Sequence, residues 1–169
     1  MISTISHKRL HVANRYFYPV VAGIETNLAE LCPRLVERGW SVTVYTSQST
    51  LDALNVLPSH DVHRGVSIRR YRSFGRGMWF PRALFRDADV VELDNFDVFP
   101  HVVVLIAAWL LKLIGRKRFA LVLASHGGFT PEWRTFPLLA RAVKRAYHRT
   151  IGRFLINHAV DVVRAVSLW

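Results

Sequence analysis

Apolar positions along this chain fall into two alternating periods. Residues 8–14 (KRLHVAN) alternate, with Leu10 and Val12 on one side, which predicts a strand. Residues 41–46 (SVTVYT), 66–71 (VSIRRY), 89–94 (DVVELD) and 161–166 read as further strands; 66–71 is the most polar and is expected nearer a sheet edge. Residues 119–124 (FALVLA) are apolar without alternation, as expected of a central parallel strand covered on both faces. Helical spacing lies between them. Leu28, Leu31, Leu35 and Val36 would face a sheet, 98–114 form an apolar helix, and 133–157 form one long helix or two broken near Gly152. A short helix begun by Asp52 is expected over 50–57, a flexible loop over 73–78 and one helical turn over 81–85. Strands alternating with helices predict an α/β fold, a Rossmann-like doubly wound parallel sheet of about six strands. No repeat, linker or low-complexity segment divides the chain, so 1–169 reads as one domain.

Residues 16–39 (YFYPVVAGIETNLAELCPRLVERG) organise the rest. A strand, a glycine turn and a helix N-terminus aim unpaired N–H groups and the helix dipole at one place, which makes an anion site. Gly23 allows backbone to approach a ligand, Glu25 is a first-turn acid favoured by the dipole, and Gly39 is the expected left-handed stop. Pro33 inside this helix removes one hydrogen bond and should bend it.

In a doubly wound sheet the ligand lies beyond the carboxyl ends of the strands. Those ends supply residues 15–23, Thr46 and Ser47, Asp94 and Asn95, residues 125–128, and Ser167. His126 follows an apolar strand and precedes Gly127 and Gly128, so its ring should project over the sheet edge, where imidazole chemistry operates near neutral pH. Asp94 would orient or deprotonate a hydroxyl.

Charge narrows the partners. The net charge is +11, with seven arginines and no acid between Asp61 and Asp87, and ten basic residues against Glu132 alone between Asp97 and Asp161. Such a field attracts anionic lipid or phosphorylated substrates. Nucleic acid is not expected, since no zinc-finger, RNP or helix-turn-helix pattern occurs. Lys112, Arg116, Lys117 and Arg118 close an apolar helix carrying Trp109, which suits a peripheral contact with an anionic membrane, although most of that helix is expected to be buried. The longest apolar run, 102–111, is too short to span a bilayer and no cleavable leader is visible, so a cytoplasmic location is expected, with peripheral contact at the membrane face. Cys32 is expected to be a buried, inert thiol. A lone Gly23 is not a G-x-G-x-x-G dinucleotide loop, and no histidine or cysteine pair has metal-ligand spacing, so neither cofactor nor metal is expected. Glutamates 25, 30 and 37 share one helix and cannot flank a glycosidic bond.

Three stretches in order, YFYPVVAGIE with LAELCPRLVERGWSVTVYTS, SHGGFTPEW at 125–133 and DVVRAVS at 161–167, resemble the retaining glycosyltransferases of family 4. Ala22 stands where that family usually has a first glycine, and Trp40 where it has histidine. The resemblance implies the N-terminal, acceptor-side half of a GT-B enzyme that moves a sugar from a nucleotide-sugar to an acceptor hydroxyl. It implies that Ala22, Gly23 and Gly127 meet the donor phosphate and sugar and that His126 is catalytic. Tyr18, Asp94 and Asn95 are expected to hold the acceptor, although Glu92 and Asp94 stand on a strand end where the family commonly has histidines. The donor-binding C-terminal domain would be a missing domain or a separate chain, and this domain alone is expected to be inactive. A lipid-linked acceptor would agree with the basic surface. The alternative is a non-catalytic basic α/β module that docks on membrane or a partner chain.

Overall fold

The computed structural model describes residues 8–51, 56–74, 77–78, 82–96, 99–125 and 137–165. Strand β1 (Arg9–Ala13) leads through a loop into helix α1 (Gly23–Glu37) and strand β2 (Ser41–Ser47). Strands β3 (His60–His63) and β4 (Val66–Tyr71) follow, then a two-strand ladder of β5 (Ser73–Phe74) and β6 (Gly77–Met78), and a 3-10 turn at Arg82–Leu84. Strand β7 (Val90–Leu93), helix α2 (Phe99–Leu113) and strand β8 (Ala120–Ser125) come next. Helix α3 (Leu138–Tyr147) runs through a π turn at His148–Gly152 into helix α4 (Arg153–Ala159), and strand β9 (Val162–Ala165) ends the sheet.

The sheet has seven strands in the order β3-β4-β2-β1-β7-β8-β9. All neighbours are parallel except β3, which pairs antiparallel with β4. The chain leaves β1 toward β2 and β4, then returns to lay β7 on the other side of β1, so the winding reverses between β1 and β7. β3 departs from the six strands expected: its sequence HDVH has one apolar residue and no alternation to read, and its outer position requires none. It moves β4 one place in from the edge. Residues 73–78 are not simply a loop, since Ser73 pairs with Met78 and Phe74 with Gly77. Residues 52–55 of the helix expected over 50–57 lie outside the described ones; Ser49 and Val56, on either side of them, pair antiparallel.

Two cores back the sheet. Leu28 and Cys32 of α1 pack with Leu10, Val12, Val42, Val44, Val66 and Ile68, while Leu35 and Val36 lie partly buried against them. On the other face Val104, Leu105 and Ala108 of α2 and Leu155 and Ala159 of α4 pack on Val91, Leu93, Leu121 and Leu123. Helix α1 continues through Pro33 and stops at Gly39, whose φ of 83° suits a residue without Cβ. There the N–H of Gly39 bonds Val36 (2.9 Å) and that of Trp40 bonds Leu35 (3.0 Å), the double closure of a Schellman stop. Helix α2 ends the same way at Gly115, with bonds from Gly115 to Lys112 (3.1 Å) and from Arg116 to Leu111 (2.8 Å).

Helix α2 is buried along one stripe only. Val103, Ile106, Leu110 and Leu113 are exposed, as is Ile114 beyond its end. An unbroken apolar run carries no period, so a second apolar face turned to solvent could not be read from it.

Candidate active site

Where the winding of a doubly wound sheet reverses, the loops after the two diverging strands separate and leave a crevice. Ala13 is level with Tyr45 on β2 and with Leu93 on β7, and Leu93 is level with Leu123 on β8. The loops after β1, β7 and β8 therefore leave the sheet side by side, roughly 5 Å apart per strand.

The loop from β1 to α1 is held at several points. Asn14 is buried; its Nδ2 donates to the Tyr16 carbonyl (3.0 Å) and its Oδ1 accepts from the Arg15 N–H (2.9 Å). The Arg15 carbonyl accepts from Thr46 Oγ1 (3.1 Å) and from the Ser47 N–H (3.1 Å), so the end of β2 ties the loop down. Phe17 anchors the middle of the loop in the α1 core. Tyr18 stacks on His63 with ring centroids 3.8 Å apart, and its peptide bond to Pro19 is cis.

Arg70 locks this loop from β4. Its guanidinium has no exposed surface and donates to the Tyr18 carbonyl (2.7 Å), the Pro58 carbonyl (3.2 Å) and Asp61 Oδ2 (3.1 Å). Both terminal nitrogens of this buried guanidinium are thereby paired, which offsets much of the cost of burying its charge. The Val62 N–H and the Arg70 guanidinium hold the Asp61 carboxyl below its usual range. This corrects the expected field of unbalanced arginines between Asp61 and Asp87 at two of its members. Arg70 is internal, and Arg64 pairs with Glu30 of α1 (3.1 Å), an acid distant in sequence but near in space. Lys117 likewise pairs with Asp161.

The loop delivers an open helix end. Ala22 is extended at φ −154°, so the alanine in place of a glycine is unstrained, and it supplies no side-chain cap to the first-turn N–H groups of α1. A methyl built on Gly23 would meet no heavy atom within 4 Å. Gly23 thus has a free side facing solvent at a dipolar helix start, which is the geometry that receives an anion. Glu25, in the same turn, is buried.

At the end of β7, Asp94 has no exposed surface and Asn95 is half-buried. Glu92, two residues earlier on the same strand face, forms an ion pair with Arg164 of β9 across β8. Sequence reasoning missed this bridge because its partners are separated by 72 residues. Cys32 lies within reach of these carboxylates; burial first, and then Glu92 and Asp94, push its thiol up to about 12, which makes it inert near neutral pH. Strand β8 brings Ser125 to the same sheet edge; His126 and Gly127 lie outside the described residues. Tyr18, Ala22, Gly23, Asp94 and Asn95 are therefore placed on the two loops that flank the winding reversal.

A doubly wound, mostly parallel sheet flanked by helices defines an α/β domain of the Rossmann type. Residues 21–168 match Glycosyltransferase Family 4, and the chain belongs to that family, with the fold of the N-terminal half of a GT-B glycosyltransferase. No curated protein matches the chain. None of the helices among the described residues is long and apolar enough to cross a membrane.

Proposed function

We propose that this domain is the acceptor-side half of a retaining glycosyltransferase that moves a sugar from a nucleotide-sugar to an acceptor hydroxyl. The observation that carries the reading is the open start of α1 at the winding reversal, with Ala22 offering no cap and Gly23 no obstruction. The backbone N–H groups at Ala22 and Gly23 receive donor phosphate without a metal, as a helix N-terminus does for anions. His126 and Gly127 meet the transferred sugar, and His126 serves as the acid, base or polar stabiliser. Tyr18, on the exposed loop, contacts the acceptor together with Asn95 and Asp94 at the end of β7. Transfer requires a donor-binding half in addition to these residues, in the same chain or another. The basic surface brings the enzyme to an anionic, cytoplasmic membrane face.

The test separates these roles. Residues 1–169 alone should give no product with a panel of nucleotide-sugars and glycan or lipid-linked acceptors; turnover above a no-protein control would refute the need for a second half. In the complete enzyme His126→Ala should lower kcat by about 100-fold or more with the melting temperature unchanged. A folded variant of full activity would remove His126 from the chemistry. Co-sedimentation with anionic but not neutral vesicles, abolished by high salt, checks the membrane partner.

A further inference from the structure

Opposite the candidate site, at the amino ends of β1, β7 and β8, lies a pocket of about 690 Å³. It opens between the turn after Arg82–Leu84 and the last turns of α2. Its size falls in the range of roughly 300–1,000 Å³ that holds small organic ligands. The floor is apolar: Phe85 and Phe119 stack with centroids 5.3 Å apart, and Ala107, Leu110 and Ile114 complete it from α2 and its end. The rim is cationic, with Arg9, Arg82, Arg86, Arg116 and Arg118 against Asp87 and Asp89.

Both acids are already engaged. Asp87 lies 4.0 Å from Arg9, and Asp89 accepts the Arg9 N–H at 2.7 Å, which fixes the start of β1. Among the described residues Arg82, Arg86, Arg116 and Arg118 have no acidic partner. Four arginines without an acidic partner among the described residues, set around an apolar hollow, match a ligand with an anionic head and a hydrocarbon tail. The arginine fork suits phosphate in particular.

The hollow is continuous with the exposed stripe of α2. Leu110 and Ile114 belong to both, and Leu113, at 64% exposure, extends the apolar surface outside the rim. An apolar stripe edged by arginines lies in the headgroup layer of a membrane. We infer that this pocket binds the phosphate head and first methylenes of an anionic membrane phospholipid, anchoring the domain by the sheet edge remote from the sugar site. The inference rests on the membrane contact proposed above and deepens it from a diffuse charge attraction to a single built site.

The test titrates the full chain with decyl phosphate below its critical micelle concentration, alongside inorganic phosphate and the neutral decyl maltoside. One-to-one binding of decyl phosphate is expected, tighter than either control by roughly ten-fold or more. Arg116→Gln with Arg118→Gln should weaken it by a similar factor; both side chains are exposed and the fold does not depend on them. Ala107→Phe, which fills the floor and keeps every charge, should weaken it as well. Equal binding of inorganic phosphate would reduce the pocket to an anion site, and equal binding of decyl maltoside to a greasy surface. No binding, or binding untouched by these variants, would also overturn the inference. If Ala107→Phe still sediments with anionic vesicles, the diffuse membrane contact stands whatever becomes of the pocket.

Discussion

Facing α1, strands β1, β2 and β4 present Leu10, Val12, Val42, Val44, Val66 and Ile68, whereas β7 and β9, beyond Val90, present Glu92, Asp94 and Arg164. The two halves meet where β1 pairs with β7, so Val12 lies level with Glu92. The first half is an apolar floor under a helix, and Arg70, the buried arginine among its described residues, serves to fix the loop that opens α1. The second half turns buried charge toward the same layer. Rigid apolar packing sets the position of the open start of α1, and charge gathers on the strands beside it.

Removing Arg70 should have the largest effect. Arg70→Ala leaves Asp61 and the carbonyls of Tyr18 and Pro58 without their donor, which should cost about 3 kcal/mol in denaturant unfolding. If the variant loses less than about 1 kcal/mol, the clamp is not what holds this half.

The bridge in the other half behaves differently. Glu92→Leu alone strands a partly buried Arg164 and should cost about 2 kcal/mol, while Glu92→Leu with Arg164→Leu should recover most of that loss. A double variant as unstable as the single would show that Glu92 supports the strand ends by something besides its partner. The double variant should also fall further in transfer than in stability, because it makes the charged half resemble the neutral one.

The seam between the halves should respond to pH. His11 of β1 donates from Nδ1 to the Leu84 carbonyl (2.9 Å), and its pKa is lowered, first by burial and then by the charges of Arg69 and Arg9, against the opposing pull of that bond and of Asp87. The unfolded chain takes up a proton near pH 6.5 that the folded one refuses. The stabilisation is therefore complete above that pH and is lost as pH falls below it. Unfolding free energy measured from pH 7 to 5 should decline, and His11→Gln should flatten the decline; parallel curves would clear His11 of this role.

The smallest effect is expected at Gly23. Gly23→Ala meets no atom within 4 Å and should change stability by no more than about 0.5 kcal/mol, whereas Gly39→Ala, at φ 83°, should cost about 1 kcal/mol. In the complete enzyme Gly23→Ala should still weaken the nucleotide-sugar, measured as a raised KM, because the methyl occupies the space assigned to phosphate. A marked loss of stability would mean that the cradle is tighter than its open geometry indicates.

The parallel strands and helices were legible because their periods are local: Leu10 and Val12 in β1, Leu28 in α1, and the unbroken run of β8 each declare their element within a few residues. The stop at Gly39 and the open helix start at Gly23 were legible for the same reason. Arg70 was not, because its burial depends on Asp61 in β3 and on a carbonyl 52 residues away. Nor was the outer face of α2, since Val103 and Val104 look alike in sequence and only one of them finds a sheet. Asp94 and Asn95 were placed correctly at a strand end, while which of them reaches solvent depends on packing from both faces.

The place of β1 in the sheet also governs how the chain assembles. β1, α1, β2 and β4 span residues 9–71 and pair almost entirely with one another, whereas the other neighbour of β1, strand β7, begins at Val90. During synthesis the first group is complete before β7 leaves the ribosome, so one edge of β1 waits unpaired for its partner. Near contacts close before distant ones, which makes this group the expected first stage of folding. In pulse-labelled hydrogen exchange the amides of β2 and β4 should gain protection ahead of those in β8. Until β7 arrives, the open edge of β1 is the place where a chaperone, or a second unfinished chain, would bind.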